Sequence, residues 1–301
     1  MSLDTLPGRH QHRSHGQRET ALAQLNLEVR RIAGALGAEI HGVDLAAPQA
    51  GSTIAAIRSL LLEHGVIFFR GQRLDEAGLK GFAGQFGTFF RHPYFLSEGD
   101  PDVIVIRRAP GDTRIVGEGW HSDTPAVAAP PMASLLYGED IPPYGGDTLF
   151  ANQNLAYEAL SPAMQRMLEG VRAVYSDTRV AGSTVGRNAQ SATKSREDAG
   201  FHHSEGVHPV VRTHPETGRK ALYIVRPLML HFDGMSVAES DGLADYLYEH
   251  SHRPEFTRRF RWETGSLAFW DNRCAQHAAL NDTGPFHRVM RRVQLAGDPP
   301  A

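Results

Sequence analysis

The sequence reads Trp120-His121-Ser122-Asp123-Thr124-Pro125 shortly before its midpoint, so an imidazole and a carboxylate stand two residues apart. In an extended segment alternate side chains share one face, and both groups can then reach a single point. A metal ion is one occupant of such a point. A surface turn with an ordinary histidine is the alternative, because short motifs often match by chance.

A third metal ligand is available far downstream, in the segment from Phe269 to His277. Two histidines and one carboxylate form the facial triad of non-haem Fe(II) oxygenases, which leaves positions open for a co-substrate and for oxygen. We therefore take His121, Asp123 and His277 as the candidate catalytic residues and metal ligands. Such a site requires a fold in which strands distant in sequence converge.

Two arginines follow His277 in a segment that predicts a strand. Arg288 and Arg292 are four residues apart, so their side chains lie on the same face of that strand. Arginine grips a carboxylate in a fixed, two-pronged geometry, and a dicarboxylate chelating the metal at one end would need such a clamp at its other end. Arg291 has the opposite parity, and for it we expect a solvated strand face.

Short apolar segments separated by glycine-containing turns, with few long helices, predict a mainly β fold with flanking helices, of the jelly-roll type. Residues 1–25 contain little apolar surface and predict a disordered tail, followed by a single domain over residues 26–301. Residues 181–205 are rich in Gly, Ser, Asn and charged residues and show no periodicity. A segment of this kind is commonly either a lid over the site or simply disordered.

Composition limits the partners and the compartment. Lys and Arg number 31 against 34 Asp and Glu, and the net charge of −3 gives no reason to expect nucleic acid or a membrane surface as a partner. The single cysteine, Cys274, excludes an internal disulfide and fits a reducing compartment, so we expect a cytoplasmic protein. No apolar run approaches the length of a membrane span.

Four segments, in this order and with similar spacing, resemble the TauD/TfdA family of dioxygenases from about Leu27 onward. They are Trp120-His121-Ser122-Asp123, Gly145-Gly146-Asp147-Thr148, His208–Lys220 and Trp270–Arg292. The resemblance implies a double-stranded β-helix (jelly roll) and an oxidoreductase that uses Fe(II), 2-oxoglutarate and O2. It also implies that 2-oxoglutarate is converted to succinate and CO2 while a C–H bond of the substrate is hydroxylated.

The resemblance also implies roles for individual residues. Thr148 and Arg288 would hold the distal carboxylate of 2-oxoglutarate, and Arg292 would pair with an anionic group of the substrate. The candidate substrate-binding residues are His92, Tyr94, Phe95 and Arg292. An aromatic cluster such as the one around His92 can equally be ordinary core.

The expected substrate is a small organic acid of the sulfonate, sulfate ester or aryloxyalkanoate class. Gly117 stands where the taurine enzymes carry a polar residue, and the segment from Tyr223 to His231 departs from the usual family pattern. Taurine itself is therefore not our first choice. A homo-oligomer is expected only because the family commonly forms one.

Other interpretations of the protein's function remain open at this point. The enzyme could hydroxylate another small acid or an amino acid in biosynthesis, or it could be a hydrolase that holds zinc with the same three ligands. A non-catalytic jelly-roll binding protein is the third class, but such a protein has no need of three ligands and two clamp residues together.

Overall fold

The computed structural model describes residues 22–93, 95, 99–113, 115–178 and 204–301, and strands predominate in these ranges. The strands are β1 (Glu28–Arg31), β2 (Ala38–His41), β3 (Val66–Phe69), β4 (Val103–Arg108), β5 (Ala133–Asp140), β6 (Thr148–Asn152), β7 (Arg172–Ser176), β8 (Glu205–Pro209), β9 (Val211–Thr213), β10 (Lys220–Leu222), β11 (Met229–Phe232), β12 (Thr257–Phe260), β13 (Leu267–Asp271), β14 (Ala275–Ala279) and β15 (Arg288–Leu295). The helices are α1 (Gly51–His64), α2 (Glu76–Ala83), α3 (Gln153–Glu158), α4 (Pro162–Leu168) and α5 (Val237–Ser251), and a short 3-10 turn spans Pro254–Phe256.

Two sheets form the body of the jelly roll. The larger sheet has seven strands in the order β1-β2-β3-β13-β5-β15-β4, and a smaller sheet has the order β12-β6-β14. Buried side chains of both, including Phe68, Phe150, Phe260 and Trp270, pack into one core cluster. The rings of Phe68 and Phe260 stack at 3.9 Å. The protein is therefore mainly β with flanking helices, as expected.

Neither sheet closes on itself into a barrel in the described part of the chain. Strand β12 joins the small sheet, while β13 and β15 flank β5 inside the large one. Side chains from the two facing surfaces fill the space between the sheets. The site therefore lies between two facing sheets.

Helices α1 and α2 cover the outer face of the large sheet, where Ile57 and Phe82 pack against Phe69 and Phe269. Successive residues of β13 are buried on opposite sides, so Phe269 faces these helices while Trp270 faces the small sheet. Helix α1 ends at His64 and is followed by Gly65, whose φ of 69° is the positive value that favours glycine at a helix end. Its N-cap is Ala50, which makes no side-chain capping hydrogen bond.

A second layer is formed by the sheet β11-β7-β8, the hairpin β9-β10 and helices α3 and α5, which share a core cluster. Helix α5 begins with a capping box in which Ser236 and Glu239 exchange hydrogen bonds. Strand β9 pairs with β10 as a hairpin, whereas β8 pairs with β7. No helix among the described residues has the length and apolarity that a membrane span requires.

The ends of two predicted segments fall within the described residues. Leu22 and Leu25, the last part of the predicted tail, pack against the core cluster of the large sheet, while residues 1–21 lie outside the described ranges. Of the predicted lid over 181–205, residues 204 and 205 are described, and Glu205 begins β8. Both the tail and the lid stay predictions.

Candidate active site

Backbone pairing brings the two candidate histidines together. The N–H of His121 donates to the carbonyl of His277 and the reverse bond is also made, both at 2.9 Å. This antiparallel bridge places their ring centroids 4.2 Å apart. The potential ligand atoms of His121, Asp123 and His277 all lie within 4.8 Å of one another. The structure therefore assembles the three residues that the sequence singled out, from a loop and from β14.

The protonation of these residues suits a divalent metal. His121 Nδ1 lies 2.9 Å from the carbonyl of Gly119, which can only accept, so Nε2 carries the lone pair. Burial lowers the pKa of His121 and lowers that of His277 to about 3. Burial alone would raise the pKa of Asp123, but Arg292 and the two histidines hold it below its usual range. Two neutral imidazoles and one carboxylate are the donor set that such a metal requires.

Two further residues orient the carboxylate of Asp123. Its Oδ2 accepts hydrogen bonds from Ser134 Oγ at 2.6 Å and from Asn272 Nδ2 at 3.2 Å. The amide of Asn272 is itself oriented, because Trp270 Nε1 donates to its Oδ1 at 2.9 Å. These bonds occupy one carboxylate oxygen and leave Oδ1 to face His277 Nε2, 3.9 Å away.

The first clamp surrounds Arg288, which is 6% exposed and whose Nε has no hydrogen-bond partner among the described residues. Burial lowers its pKa to about 10. Thr148 is buried beside it in the same cavity, and its hydroxyl oxygen accepts from Trp262 Nε1 at 2.9 Å, so the hydroxyl proton can be donated elsewhere. This cavity also contains His121 and His277. A buried cation with an unsatisfied N–H is suited to bind a carboxylate.

The Gly145-Gly146 pair explains how the chain fits around Arg288. Gly146 has a φ of 68°, and a Cβ there would lie 2.6 Å from Thr283 Cγ2 and 3.1 Å from Arg288 Cδ. Only glycine provides both this backbone conformation and this space. The motif that precedes Thr148 in the sequence therefore shapes the wall of the first clamp.

The second clamp surrounds Arg292, which is 4% exposed. Its Nη1 donates to Asp123 Oδ1 at 3.3 Å, while Nε and Nη2 are buried and without partners in the described ranges. Its guanidinium lies 5.6 Å from the ring of Phe95, which lies 4.5 Å from the ring of His92. Burial and the nearby Arg292 together lower the pKa of His92 well below its usual value. Tyr94, the remaining predicted substrate contact, lies outside the described residues.

The wall between the two clamps is apolar. Met290 is fully buried and shares the inward face of β15 with Arg288 and Arg292. The other apolar lining residues are Ile106, Val116, Leu136 and Ala279. Gly117 also lines this cavity with a φ of 84°, and a Cβ there would lie 3.3 Å from His121 Cε1. The cavity therefore has two cationic ends and an apolar middle.

A second group, formed by His214, Asp271 and Cys274, also has metal-like spacing. However, Asp271 already accepts hydrogen bonds from Arg273 Nε and Nη2 at 2.8 and 2.7 Å and from His214 Nε2 at 3.0 Å. Burial raises the pKa of the Cys274 thiol, which disfavours the thiolate that a metal would bind. This group is a buried ion network that fixes the turn between β13 and β14. Cys274 is a free, buried cysteine.

Sequence reasoning did not assign roles to Ser134 and Asn272. Asn272 lies inside the quoted segment that leads to His277, and Ser134 is a polar residue in the otherwise apolar start of β5. A serine at a fully buried strand position is the signal that could have pointed to a polar partner. Its partner, Asp123, is defined only by the tertiary structure.

A jelly roll that converges two histidines and one aspartate beside buried cationic residues defines a non-haem iron oxygenase as the class of protein. The profile of the family described as "Taurine catabolism dioxygenase TauD, TfdA family" matches residues 28–294, and the chain belongs to this family.

Individual relatives agree with this assignment. The chain is 38% identical over 279 residues to a protein named Alkylsulfatase from Acinetobacter baylyi, covering 90% of this chain and 86% of that relative. It is also 38% identical over 285 residues to an alpha-ketoglutarate-dependent sulfate ester dioxygenase from Pseudomonas putida, with 93% of each covered. The crystal structure of a taurine dioxygenase from Burkholderia xenovorans superimposes with a TM-score of 0.76 at 37% identity, covering 92% of this chain and 93% of that one.

Proposed function

We propose that this protein is an Fe(II)- and 2-oxoglutarate-dependent dioxygenase that oxidises a small organic sulfate ester. The observation that carries the proposal is the pair of buried arginines, Arg288 and Arg292, in one cavity that is also lined by His121 and His277, two members of the His-Asp-His group. In the described part of the chain, Nε of Arg288 and both Nε and Nη2 of Arg292 are buried and have no partner. Two anions are therefore expected, one at each arginine.

Different residues of this chain would bind the metal and the co-substrate. His121, Asp123 and His277 would hold Fe(II), while Arg288 and Thr148 would hold the far carboxylate of 2-oxoglutarate. When bound, the metal and 2-oxoglutarate supply the chemistry of oxidative decarboxylation coupled to hydroxylation of a C–H bond. The protein then needs no acid or base of its own, and its task is to orient both anions and to exclude water.

The substrate's anion would bind at Arg292 and His92, with its carbon chain along the apolar wall of Ile106, Leu136 and Met290. In a primary alkyl sulfate, the carbon that carries the ester oxygen lies next to the anion and faces the triad. Hydroxylation of that carbon gives a product in which the C–O bond to sulfate breaks, releasing an aldehyde and inorganic sulfate. One oxygen atom of O2 enters this product and the other enters succinate.

The choice of a sulfate ester over a sulfonate or an aryloxyalkanoate is supported by two relatives, both 38% identical and both named for sulfate ester chemistry. Alkyl sulfonates and aryloxyalkanoates are therefore the comparison substrates in any test.

The test has two parts. Anaerobic addition of 2-oxoglutarate to the Fe(II)-loaded protein should produce a visible charge-transfer band, and Arg288→Gln should lose it at the same 2-oxoglutarate concentration. Oxygen with a panel of alkyl sulfates, alkyl sulfonates and aryloxyalkanoates should then give succinate fastest with the alkyl sulfates. A metal-bound protein with neither the band nor succinate would contradict the proposal and favour the hydrolase or binding-protein alternatives.

We further propose that the protein is a cytoplasmic homo-oligomer with small molecules, and neither nucleic acid nor membranes, as partners. The single buried thiol of Cys274 and the net charge of −3 support the compartment and the absence of polyanion binding. Light scattering of the purified protein would give the mass of the assembly, and a monomer at all concentrations would contradict the oligomer.

A further inference from the structure

We infer that Arg292 couples binding of the substrate's anion to binding of the metal, because one guanidinium serves both the anion site and the metal ligand Asp123. Without an anion, its N–H group donates to the carboxylate oxygen that the metal needs. With an anion bound, the same cation is neutralised. The inference rests on the proposed function and adds a thermodynamic link between its two sites.

The geometry leaves a single oxygen of Asp123 for both partners. Ser134 and Asn272 occupy Oδ2. Oδ1 lies 3.3 Å from Arg292 Nη1 and 3.9 Å from His277 Nε2. A metal bound by Asp123 and His277 must therefore share this oxygen with the guanidinium.

The remaining N–H groups of Arg292 are available to an anion. Nε and Nη2 are buried and have no partner within the described ranges, and the guanidinium lies beside Phe95 and close to His92. An anion on this side would be separated from the metal ligand only by the width of one planar guanidinium. No rearrangement of the backbone is needed for the coupling.

The positive charge of Arg292 determines whether a bound anion strengthens or weakens metal binding. A buried cation beside Oδ1 repels a divalent metal and withdraws electron density from its ligand, and both effects are strong where solvent is excluded. An anion bound to Arg292 cancels that charge, so it should tighten metal binding. By linkage, the metal must tighten anion binding by the same factor.

Arg288 offers a matched control on the same strand. It is also buried, also carries an unpartnered Nε among the described residues, and shares the inward face of β15. Its neighbouring acids are Asp147 and Asp282, whereas the charges acting on Asp123 are those of Arg292, His277 and His121. Loss of the Arg288 charge should therefore leave metal affinity nearly unchanged.

The experiment is a titration of the metal-free, full-length protein with Mn(II), without 2-oxoglutarate or oxygen, with free Mn(II) measured by electron paramagnetic resonance. Wild type, Arg292→Gln and Arg288→Gln are each titrated alone, with hexyl sulfate and with hexanesulfonate. Arg292→Gln alone should bind Mn(II) more tightly than wild type, by a factor within the roughly 5–150-fold range of such couplings. At least one anion should tighten Mn(II) binding by wild type and Arg288→Gln but not by Arg292→Gln.

The possible results separate this inference from the proposed function. Equal or weaker Mn(II) binding by a folded Arg292→Gln, or equal tightening by the anions in that variant, overturns the coupling while leaving the dioxygenase assignment intact. Tightening by hexanesulfonate but not by hexyl sulfate supports the coupling and contradicts the choice of sulfate esters. Failure of wild type to bind Mn(II) overturns both. The wild-type comparison with and without anion needs no variant, so misfolding of Arg292→Gln cannot hide the answer.

Discussion

Asp123 is held by three neighbours at once, and its position depends on them as much as on the metal. Asn272→Ala removes one hydrogen bond to Oδ2 and frees the carboxylate to rotate. Loss of a partner that orients a metal ligand typically costs about 10–100-fold in metal affinity, and we expect an effect of that size in an Mn(II) titration.

Asn154→Ala is the control for this substitution. Asn154 is buried and donates to the carbonyl of Lys220 at 2.8 Å, away from the triad. Asn154→Ala should lower the free energy of unfolding about as much as Asn272→Ala does, while leaving Mn(II) affinity unchanged. Equal losses of metal affinity in the two variants would show that Asn272 acts only through general stability.

At the residue scale, the sequence predicted the positions where the proposed chemistry allows few kinds of side chain. His121, Asp123 and His277 stand out because few functions require that combination, and Arg288 and Arg292 stand out by their parity on one strand. Ser134 and Asn272 could not be assigned, because a serine or an asparagine has many ordinary roles. The roles of Ser134 and Asn272 follow only from their contacts with Asp123 in the folded protein.

At the scale of elements, the turn before β6 is fixed by Gly146. Gly146→Ala would place a Cβ 2.6 Å from Thr283 Cγ2 in a positive-φ conformation, and we expect a loss of roughly 1–3 kcal/mol in stability. Because Arg288 Cδ also lies 3.1 Å from that Cβ, the KM for 2-oxoglutarate should rise. Chemical denaturation and steady-state kinetics measure the two effects.

Gly218→Ala separates backbone strain from the clash. Gly218 has a φ of 69°, close to that of Gly146, but nothing lies within 4 Å of its would-be Cβ. Gly218→Ala should lower the free energy of unfolding and leave the KM for 2-oxoglutarate at the wild-type value. An unchanged KM in Gly146→Ala as well would contradict the role assigned to this turn.

The end of α5 contacts residues next to both candidate histidine ligands, His121 and His277. His252 stacks on Trp120 at 4.5 Å and donates from Nε2 to Gln276 Oε1 at 2.9 Å, while Tyr248 accepts from the N–H of Trp120. Burial lowers the pKa of His252 to about 4, below the ordinary value of about 6.5. The unfolded chain therefore takes up this proton first, and the stability from the neutral side chain is lost as pH falls from about 6.5 towards 4.

His252→Phe keeps an aromatic ring against Trp120 and removes the titrating group. Its free energy of unfolding should vary less steeply with pH than that of wild type between pH 6.5 and 4, as measured by urea denaturation at several pH values. Identical pH dependence in the two proteins would contradict the assignment of this titration to His252.

Helix starts are of the kind that capping residues make predictable, as at Asp75 and Ser161, whose side chains accept hydrogen bonds from the N–H groups of Gly78 and Met164. Strand β14 could not be predicted, because Ala275-Gln276-His277-Ala278-Ala279 has little intrinsic strand preference. It becomes a strand by pairing with β6. The element that positions His277 is thus defined by tertiary pairing.

At the scale of the whole molecule, ligands that bind only the folded state should stabilise it in two separate increments. A ligand present at one hundred times its Kd contributes about 2.7 kcal/mol. Anaerobic Mn(II) should raise the free energy of unfolding, and 2-oxoglutarate should raise it further. Arg288→Gln should keep the first increment and lose most of the second. If Arg288→Gln keeps both increments of stability, the proposed binding of 2-oxoglutarate by Arg288 is contradicted.

The overall architecture was predictable because two halves of one site, far apart in sequence, must meet, and a jelly roll brings distant strands together. The packing of Phe68, Phe150 and Phe260 between the sheets was not predictable, since their partners are defined only by the folded structure. The substrate class depends on the shape of the cavity around Arg292 and Met290, which a sequence pattern does not specify.

The most direct test of the central claim is the aerobic reaction of the Fe(II)-loaded protein with 2-oxoglutarate and hexyl sulfate, with succinate and inorganic sulfate measured together. The account predicts that both appear in equal amounts, and that Arg292→Gln forms sulfate roughly 10–100-fold more slowly because a charge-assisted contact of about 1.5–3 kcal/mol is lost. Sulfate released without succinate, or succinate formed at the same rate with and without hexyl sulfate, would contradict it.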